Sequence, residues 1–263
     1  MPSGTPPAIK LLMKSAKILS ALVLGAGVLS QAAFGYSIET TIRDFKADHP
    51  DFEGHIGGLQ TGMVSSTLGV DGKPVPVFAD DVDGVPTGFT TKANFNQWYN
   101  DVPGVNSKTA YNLNLTETGV GTGIYQFSSS SFFPIDNQLF GNEGRVHNFH
   151  FTLELNSKFT YKAGQTFSFT GDDDLWLFID NKLVVDLGGV HSELSRTINL
   201  DTLGLTEGQD YDFDLFFAER HTTQSNFKMT IAGIDLKSVP DTGSTLALTG
   251  LGLGLLALAR RRM

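Results

Sequence analysis

The chain has 263 residues, a formal net charge of −9 and no cysteine. The acidic balance leaves no basic stripe to displace the counterions of a phosphate backbone, which excludes nucleic acid as a partner. The missing thiols exclude cysteine nucleophiles, cysteine-ligated zinc, disulfide staples and a lipidated cysteine. A chain of this length buries a proper core as one large domain or two small ones. Plentiful Gly, Thr, Asp, Asn and Phe without long helical periodicity favour an all-β sandwich with long loops and one or two short helices.

In chain order, Lys10, Lys14 and Lys17 precede the apolar run 18–29, and small residues follow in Ser30-Gln31-Ala32-Ala33-Phe34-Gly35. This is the pattern of a secretory signal, with cuts after Ala32 or Gly35 both compatible, so residues 1–35 read as a signal helix removed by signal peptidase. An amphipathic helix kept in the domain is the alternative. It is disfavoured because the basic and apolar blocks are segregated along the sequence rather than around a helix. Residues 36–237 then form the domain. From Tyr36 to about Asn106 the elements are short and the region reads as loop-rich, packed onto the sandwich. Phe95 and Trp98, at i,i+3 spacing, predict two helical turns over Ala93–Tyr99. Prolines and glycines break 57–88 into a surface excursion, in which Asp80-Asp81-Val82-Asp83-Gly84 reads as an acidic turn. It lacks the alternation and distal Glu of an EF-hand.

After Gly123 the β pattern strengthens. Phe149, Phe151, Leu153 and Leu155 alternate with His150, Thr152 and Glu154, which predicts a half-buried strand. Tyr211, Phe213, Leu215 and Phe217 alternate with Asp212 and Asp214, and Phe227, Met229 and Ile231 with Lys228 and Thr230. Residues 204–208 and 219–226 are the loops between them. The most informative stretch is 167–187. Phe167 and Phe169 continue the alternation, and 175–179 loses it, as a strand covered on both faces does. Asp180-Asn181-Lys182 then supplies the turn of a tight hairpin, expected at the centre of the sandwich. Asp172, Asp173 and Asp174 lead into it. Three adjacent carboxylates repel one another, so they form either a solvated turn or a seat for Ca²⁺.

Glu219, Arg220 and His221 stand directly after an apolar strand run and His191 follows Gly188-Gly189, so all four are candidate ligand-binding residues at the rim, with salt-bridged or hydrogen-bonded loops as the alternative. His147 and His150 point to opposite faces of one strand and cannot share a metal from it. Ser195 lies near His191, but no Gly-x-Ser-x-Gly elbow exists and no carboxylate pair is singled out for glycoside hydrolysis, so a non-enzyme is expected.

At the C-terminal side, Val239-Pro240-Asp241-Thr242-Gly243 leads into the apolar run 246–259 and then Arg260-Arg261-Arg262, with Lys237-Ser238 opening the linker. Motif, apolar helix and basic tail over 238–263 resemble the PEP-CTERM class of sorting signals in its Val-Pro-Asp-Ser-Gly variant, with Thr242 in the Ser position. The resemblance implies an exosortase-type processing enzyme and delivery to the cell surface or extracellular matrix. Membrane contact through 246–259 goes with it, a plain tail anchor being the alternative.

The run Phe169-Thr170-Gly171-Asp172-Asp173-Asp174-Leu175-Trp176-Leu177-Phe178-Ile179-Asp180, followed by Asp186-Leu187-Gly188-Gly189-Val190-His191 and by 211–220 with Asn226-Phe227, is similar to the fibro-slime domain. So are Arg43-Asp44-Phe45, His49-Pro50-Asp51-Phe52-Glu53, Trp98-Tyr99 and Asp101-Val102-Pro103-Gly104-Val105-Asn106. Its second half resembles the PA14 β-sandwich, whose carbohydrate-binding members hold Ca²⁺ on two adjacent aspartates. The resemblance carries that role to Asp172 and Asp173, with Asp174 where many such domains have Gly, and to Asn226 as the later-loop ligand. It implies a calcium-assisted adhesion module for exopolysaccharide or cell-surface glycan. The alternatives are a structural matrix unit that binds no sugar and a carbohydrate-active hydrolase.

Overall fold

The computed structural model describes residues 35–53, 58–78 and 91–238. The secretory signal, the acidic turn at Asp80–Gly84 and the sorting tail from Val239 lie outside the described residues. The strands are β1 (Gly35–Phe45), β2 (Val64–Leu68), β3 (Pro74–Pro76), β4 (Asn106–Glu117), β5 (Ile124–Ser129), β6 (Phe151–Thr160), β7 (Thr166–Gly171), β8 (Asp174–Ile179), β9 (Lys182–Leu187), β10 (Leu194–Asn199), β11 (Asp210–Glu219), β12 (Phe227–Ala232) and β13 (Lys237–Ser238). One short helix, α1 (Lys92–Phe95), is capped by Thr91, whose hydroxyl accepts from the Asn94 amide at 3.1 Å.

All strand pairs are antiparallel. One sheet runs β10-β7-β12-β5-β4-β1-β6-β11-β8-β9 and curls in a barrel-like way until its edge strands β9 and β10 lie near each other, while β2 and β3 form a separate ribbon. The concave face buries Leu153, Leu155, Phe167, Phe169, Leu175, Leu177, Leu215, Phe217 and Met229. Phe227 is the hub of its ring cluster, with centroids of Phe132, Phe217 and Phe169 at 4.9, 5.1 and 5.3 Å. Each such ring withdrawn from water contributes about 1.5–3 kcal/mol.

A second core covers the opposite face of β8 and β11. Trp176, Phe178, Phe216 and Ala218 pack there against Met63, Val64, Phe95, Trp98 and Tyr99. This layer explains the continuous apolar run 175–179, every residue of which is buried. It also corrects the half-buried reading of β6. Thr152 and Glu154 are buried, Thr152 donating to Trp98 O at 2.6 Å and Glu154 accepting from Arg43 at 2.8 Å and from Lys73.

The hairpin turn forms as expected, Asp180 and Asn181 taking φ of 51° and 60°. It lies at the edge of the sheet path rather than its centre. Gly35, expected to end the signal, and residues 36–45, expected in a loop-rich region of short elements, together form the long strand β1. Ile38 and Ile42 face the core from a run otherwise rich in polar and threonine residues, too thinly apolar to announce itself. Lys237-Ser238 opens no linker; it pairs with Lys158 and Ser157 of β6. Among the described residues no helix is long and apolar enough to cross a membrane.

Candidate functional site

Gly171 ends β7 because nothing larger fits. A Cβ there would meet Asn226 O at 2.6 Å and the Phe169 ring at 2.4 Å. The chain then turns through Asp172 and Asp173, the latter at φ 59°, and enters β8 at Asp174. The Asp172 carboxylate accepts from the Asn226 amide at 2.5 Å and from Asn226 Nδ2 at 2.8 Å, closing the end of loop 220–226. Asp173 accepts from the Arg220 amide at 2.8 Å.

Asp174 faces the other way. Its position shares the parity of Trp176 and Phe178, so it lies under the second core, fully buried, accepting from Arg220 Nε at 2.6 Å and from the Gly189 amide at 2.6 Å. Arg220 is equally buried. Its Nη1 donates to Asp51 O at 3.1 Å and its guanidinium carbon stands 5.0 Å from the centroid of the Trp98 ring. Asp174 and Arg220 are therefore a fully buried ion pair outside the lining of the cleft.

Above that pair opens a cleft of about 570 Å³, lined by Asp172, Asp173, His191, Glu219, His221, Thr223 and Gln224 with Leu59, Val190 and Leu194. Glu219 closes β11 with the parity of Leu215 and Phe217 and is only 1% exposed. One of its oxygens accepts from the His221 amide at 3.3 Å, while Oε2 has no hydrogen-bond partner. The Ser225 hydroxyl favours the anion and is itself without a hydrogen-bond partner. Burial, then the charges of Asp173 and Asp172, hold the Glu219 carboxyl well above the ordinary range. Burial likewise raises Asp173 to about 7; the Arg220 charge and amide oppose this, and Asp174 and Asp172 add to it.

Of the residues expected at a cation or ligand site, Asp172, Asp173, Glu219, His191 and His221 meet at this cleft. Asn226 stands behind Asp172 as its hydrogen-bond donor. His191 is tied by Nδ1 to Ser192 O at 2.9 Å. Ser195 is paired with the Thr170 hydroxyl at 2.8 Å across β10 and β7. Among the described residues no group of three His, Asp or Glu side chains is arranged to hold a metal ion.

Two parts of the wall went unrecognised in the sequence. Segment 58–60 runs alongside 188–190, with the Gly58 amide on Val190 O at 3.0 Å and the Gln60 amide on Gly188 O at 2.6 Å. The contact demands glycine, because at φ 91° a Cβ on Gly189 would lie 2.3 Å from Gly58 O. Glu53, which supports the wall from behind, is the second part. Its amide donates to Arg220 O at 3.0 Å, while its carboxylate faces His150 Nε2 at 2.6 Å and accepts from Thr222 Oγ1 at 3.0 Å, fastening loop 220–226 to the lead-in of β6. The paired Gly188-Gly189 was the available signal for the first; nothing local marks the second.

The cleft is thus built on strand ends of a curled antiparallel sheet, with paired aspartates in its lining. Residues 122–243 match the PA14 domain family and residues 238–263 the VPDSG-CTERM motif. Protein psiQ of Dictyostelium discoideum is 44% identical over 186 residues, covering 66% of this chain and 18% of that protein. Protein psiD of the same organism is 39% identical over 222 residues, covering 78% of this chain and 44% of that protein. The chain thus spans less than half the length of these curated relatives. Among solved structures, the PA14 domain of the MpAFP antifreeze protein aligns over 48% of this chain and 71% of its own, with 13% identity and a TM-score of 0.30, which positions no side chain here.

Proposed function

We propose that this is an exported cell-surface or matrix protein whose cleft binds carbohydrate, without catalysing a reaction, with Ca²⁺ held on Asp172 and Asp173. The reading rests on one observation: a buried carboxylate oxygen, Glu219 Oε2, stays without a partner in a cleft that already contains two further carboxylates. Carboxylate oxygens are the donors Ca²⁺ takes, and three carboxylates lining one cleft repel one another without a cation. Asp172 and Asp173 would hold the ion, with Asn226 fixing Asp172 from behind, and calcium there would supply positive charge and open positions for vicinal hydroxyls. The protein's own contribution is to fix the donors. The Arg220 amide orients Asp173, the Asn226 amides orient Asp172, and His191, His221, Thr223 and Gln224 offer hydrogen-bonding groups to a polyhydroxylated ligand. Signal peptidase at the N-terminal side and an exosortase-type enzyme at Val239–Gly243 complete the reading.

Calorimetric titration with Ca²⁺, followed by a glycan array in calcium, tests it. One ion should bind and raise the thermal midpoint, and Asp172→Asn with Asp173→Asn should abolish that heat while leaving the far-ultraviolet spectrum unchanged. Undiminished binding by the double variant would refute the assignment.

A further inference from the structure

The strand register sets the cleft and the exit of the chain at opposite poles of the sheet. Glu219 stands opposite Phe151 at the start of β6, whereas Lys237 stands opposite Lys158, seven residues further along. At a rise of about 3.3 Å per residue the two levels lie about 23 Å apart. The other end of the domain leaves by the same pole. Thr41 faces Glu154 and Asp44 faces Phe151, so β1 runs back from the cleft level toward Gly35 near the far end of β6.

The exit is held firmly. β13 pairs with β6 beyond the reach of the β1–β6 pairing. Ser157 Oγ donates to Lys237 O at 2.7 Å, and Lys237 Nζ bonds Thr160 Oγ1 at 2.9 Å and Asp210 Oδ1 at 2.8 Å. Buried Ile234 and Leu236 seat the approach. The sorting motif begins one residue later, at Val239, and the apolar run begins at Leu246.

We infer that the domain meets a lipid surface in one orientation only, its exit pole toward the bilayer and its cleft facing away. The inference rests on the reading that the run 246–259 engages a membrane before processing. The seven residues 239–245 reach at most about 25 Å when extended. To turn the cleft onto the bilayer, the tail would first have to run back about 23 Å along the sheet, which uses nearly all of that reach. The turn at Lys162–Gly164, at the exit pole and exposed, is the bilayer-facing surface. The loop at Thr223 and Gln224 faces the surroundings, where an extended polysaccharide or a second cell is met.

The chain has no cysteine, so single labels are clean. The full chain, as Ala163→Cys or Thr223→Cys with a fluorophore, is reconstituted into phosphatidylcholine vesicles containing nitroxide-headgroup lipid and floated on a gradient. Loss of most of the emission at residue 163 and none at 223 supports the orientation. Equal quenching at both positions, or more at 223, in vesicle-bound protein overturns it. If the chain does not float with the vesicles, the membrane reading fails instead. The opposed-pole placement is then judged by the spin-label distance between Thr223→Cys and Asp241→Cys, where a value below about 20 Å, shorter than the strand span, overturns it.

Discussion

Replacing Arg220 by Met tests whether the buried ion pair holds the site together. The change leaves Asp174 fully buried with the Gly189 amide as its remaining donor among the bonds described above, and strips a donor from Asp51 O. Removing one partner of a buried pair costs about 3–5 kcal/mol, because the stranded charge keeps its desolvation penalty. The lost carbonyl bond adds about 1 kcal/mol, and the lost stacking on Trp98 about 1–2 kcal/mol. Some of this is recovered by the methionine stem, so the expected destabilisation is about 4–6 kcal/mol. For a domain of this size that lowers the melting midpoint by roughly 8–24 °C. Differential scanning calorimetry and urea denaturation measure it. The decisive arm is the double variant Arg220→Met/Asp174→Asn, in which no charge is stranded and the Asn carbonyl still accepts from Gly189. It should regain at least about 2 kcal/mol relative to the sum of the single changes. A single variant that costs less than about 1 kcal/mol, or strictly additive changes, would show that the pair is not the fastening described.

Three further outcomes follow. The raised carboxyl of Asp173 means that the folded protein binds its proton more tightly than the unfolded chain does. This group therefore makes stability fall as pH rises from about 4 to about 7. Because Asp44 and Asp214 are also raised, to about 6 and about 7, the test is the difference between wild type and Asp173→Asn. The variant should lose a few kcal/mol of that decline in urea midpoints, and an unchanged slope would refute the assignment. Glu53→Ala should cost about 1–3 kcal/mol and speed amide exchange at residues 221–224, since the carboxylate bridging His150 and Thr222 is gone; unaltered exchange there would count against its role. Gly189→Ala, with its Cβ driven against Gly58 O, should cost at least about 2 kcal/mol. Gly204→Ala, at φ 71° in open space, should cost only about 1 kcal/mol, and the reverse ranking in thermal melts would refute the close-approach argument.

Much of the sheet could be read from alternation. The paired phenylalanines of β7, the Phe213–Phe217 series of β11 and the Phe227–Ile231 series of β12 each show one buried face, and the left-handed Asp180-Asn181 turn is marked by its residue types. β1 and β4 were hidden because polar and charged residues fill most of their positions, leaving pairs such as Ile38 and Ile42 or Leu113 and Leu115 to carry the core face. At the site, the carboxylate cluster was legible, but its division was not. Asp174 and Arg220 are 46 residues apart, and they meet because Ala218 pairs with Asp174 across β8 and β11. Parity was the signal that could have separated them. Asp174 counts with Trp176, and Arg220 with Phe216 and Ala218, all beneath the outer layer, whereas Glu219 counts with Phe217 toward the cleft end. The Glu53–His150 bridge spans 97 residues and joins an irregular segment to the lead-in of β6, so no periodicity could announce it.

The second core has an optical consequence. The chain holds two tryptophans, Trp98 and Trp176, and both lie in that outer layer with ring centroids 6.4 Å apart, while the concave core is packed with phenylalanine, leucine and isoleucine. Intrinsic emission therefore reports on one layer and far-ultraviolet dichroism on the sheet as a whole. Superimposable transitions from the two signals would mean that both layers melt as one cooperative unit. An earlier fluorescence transition would mean that the outer layer, with the Arg220 pair beneath it, peels away while the sheet still stands.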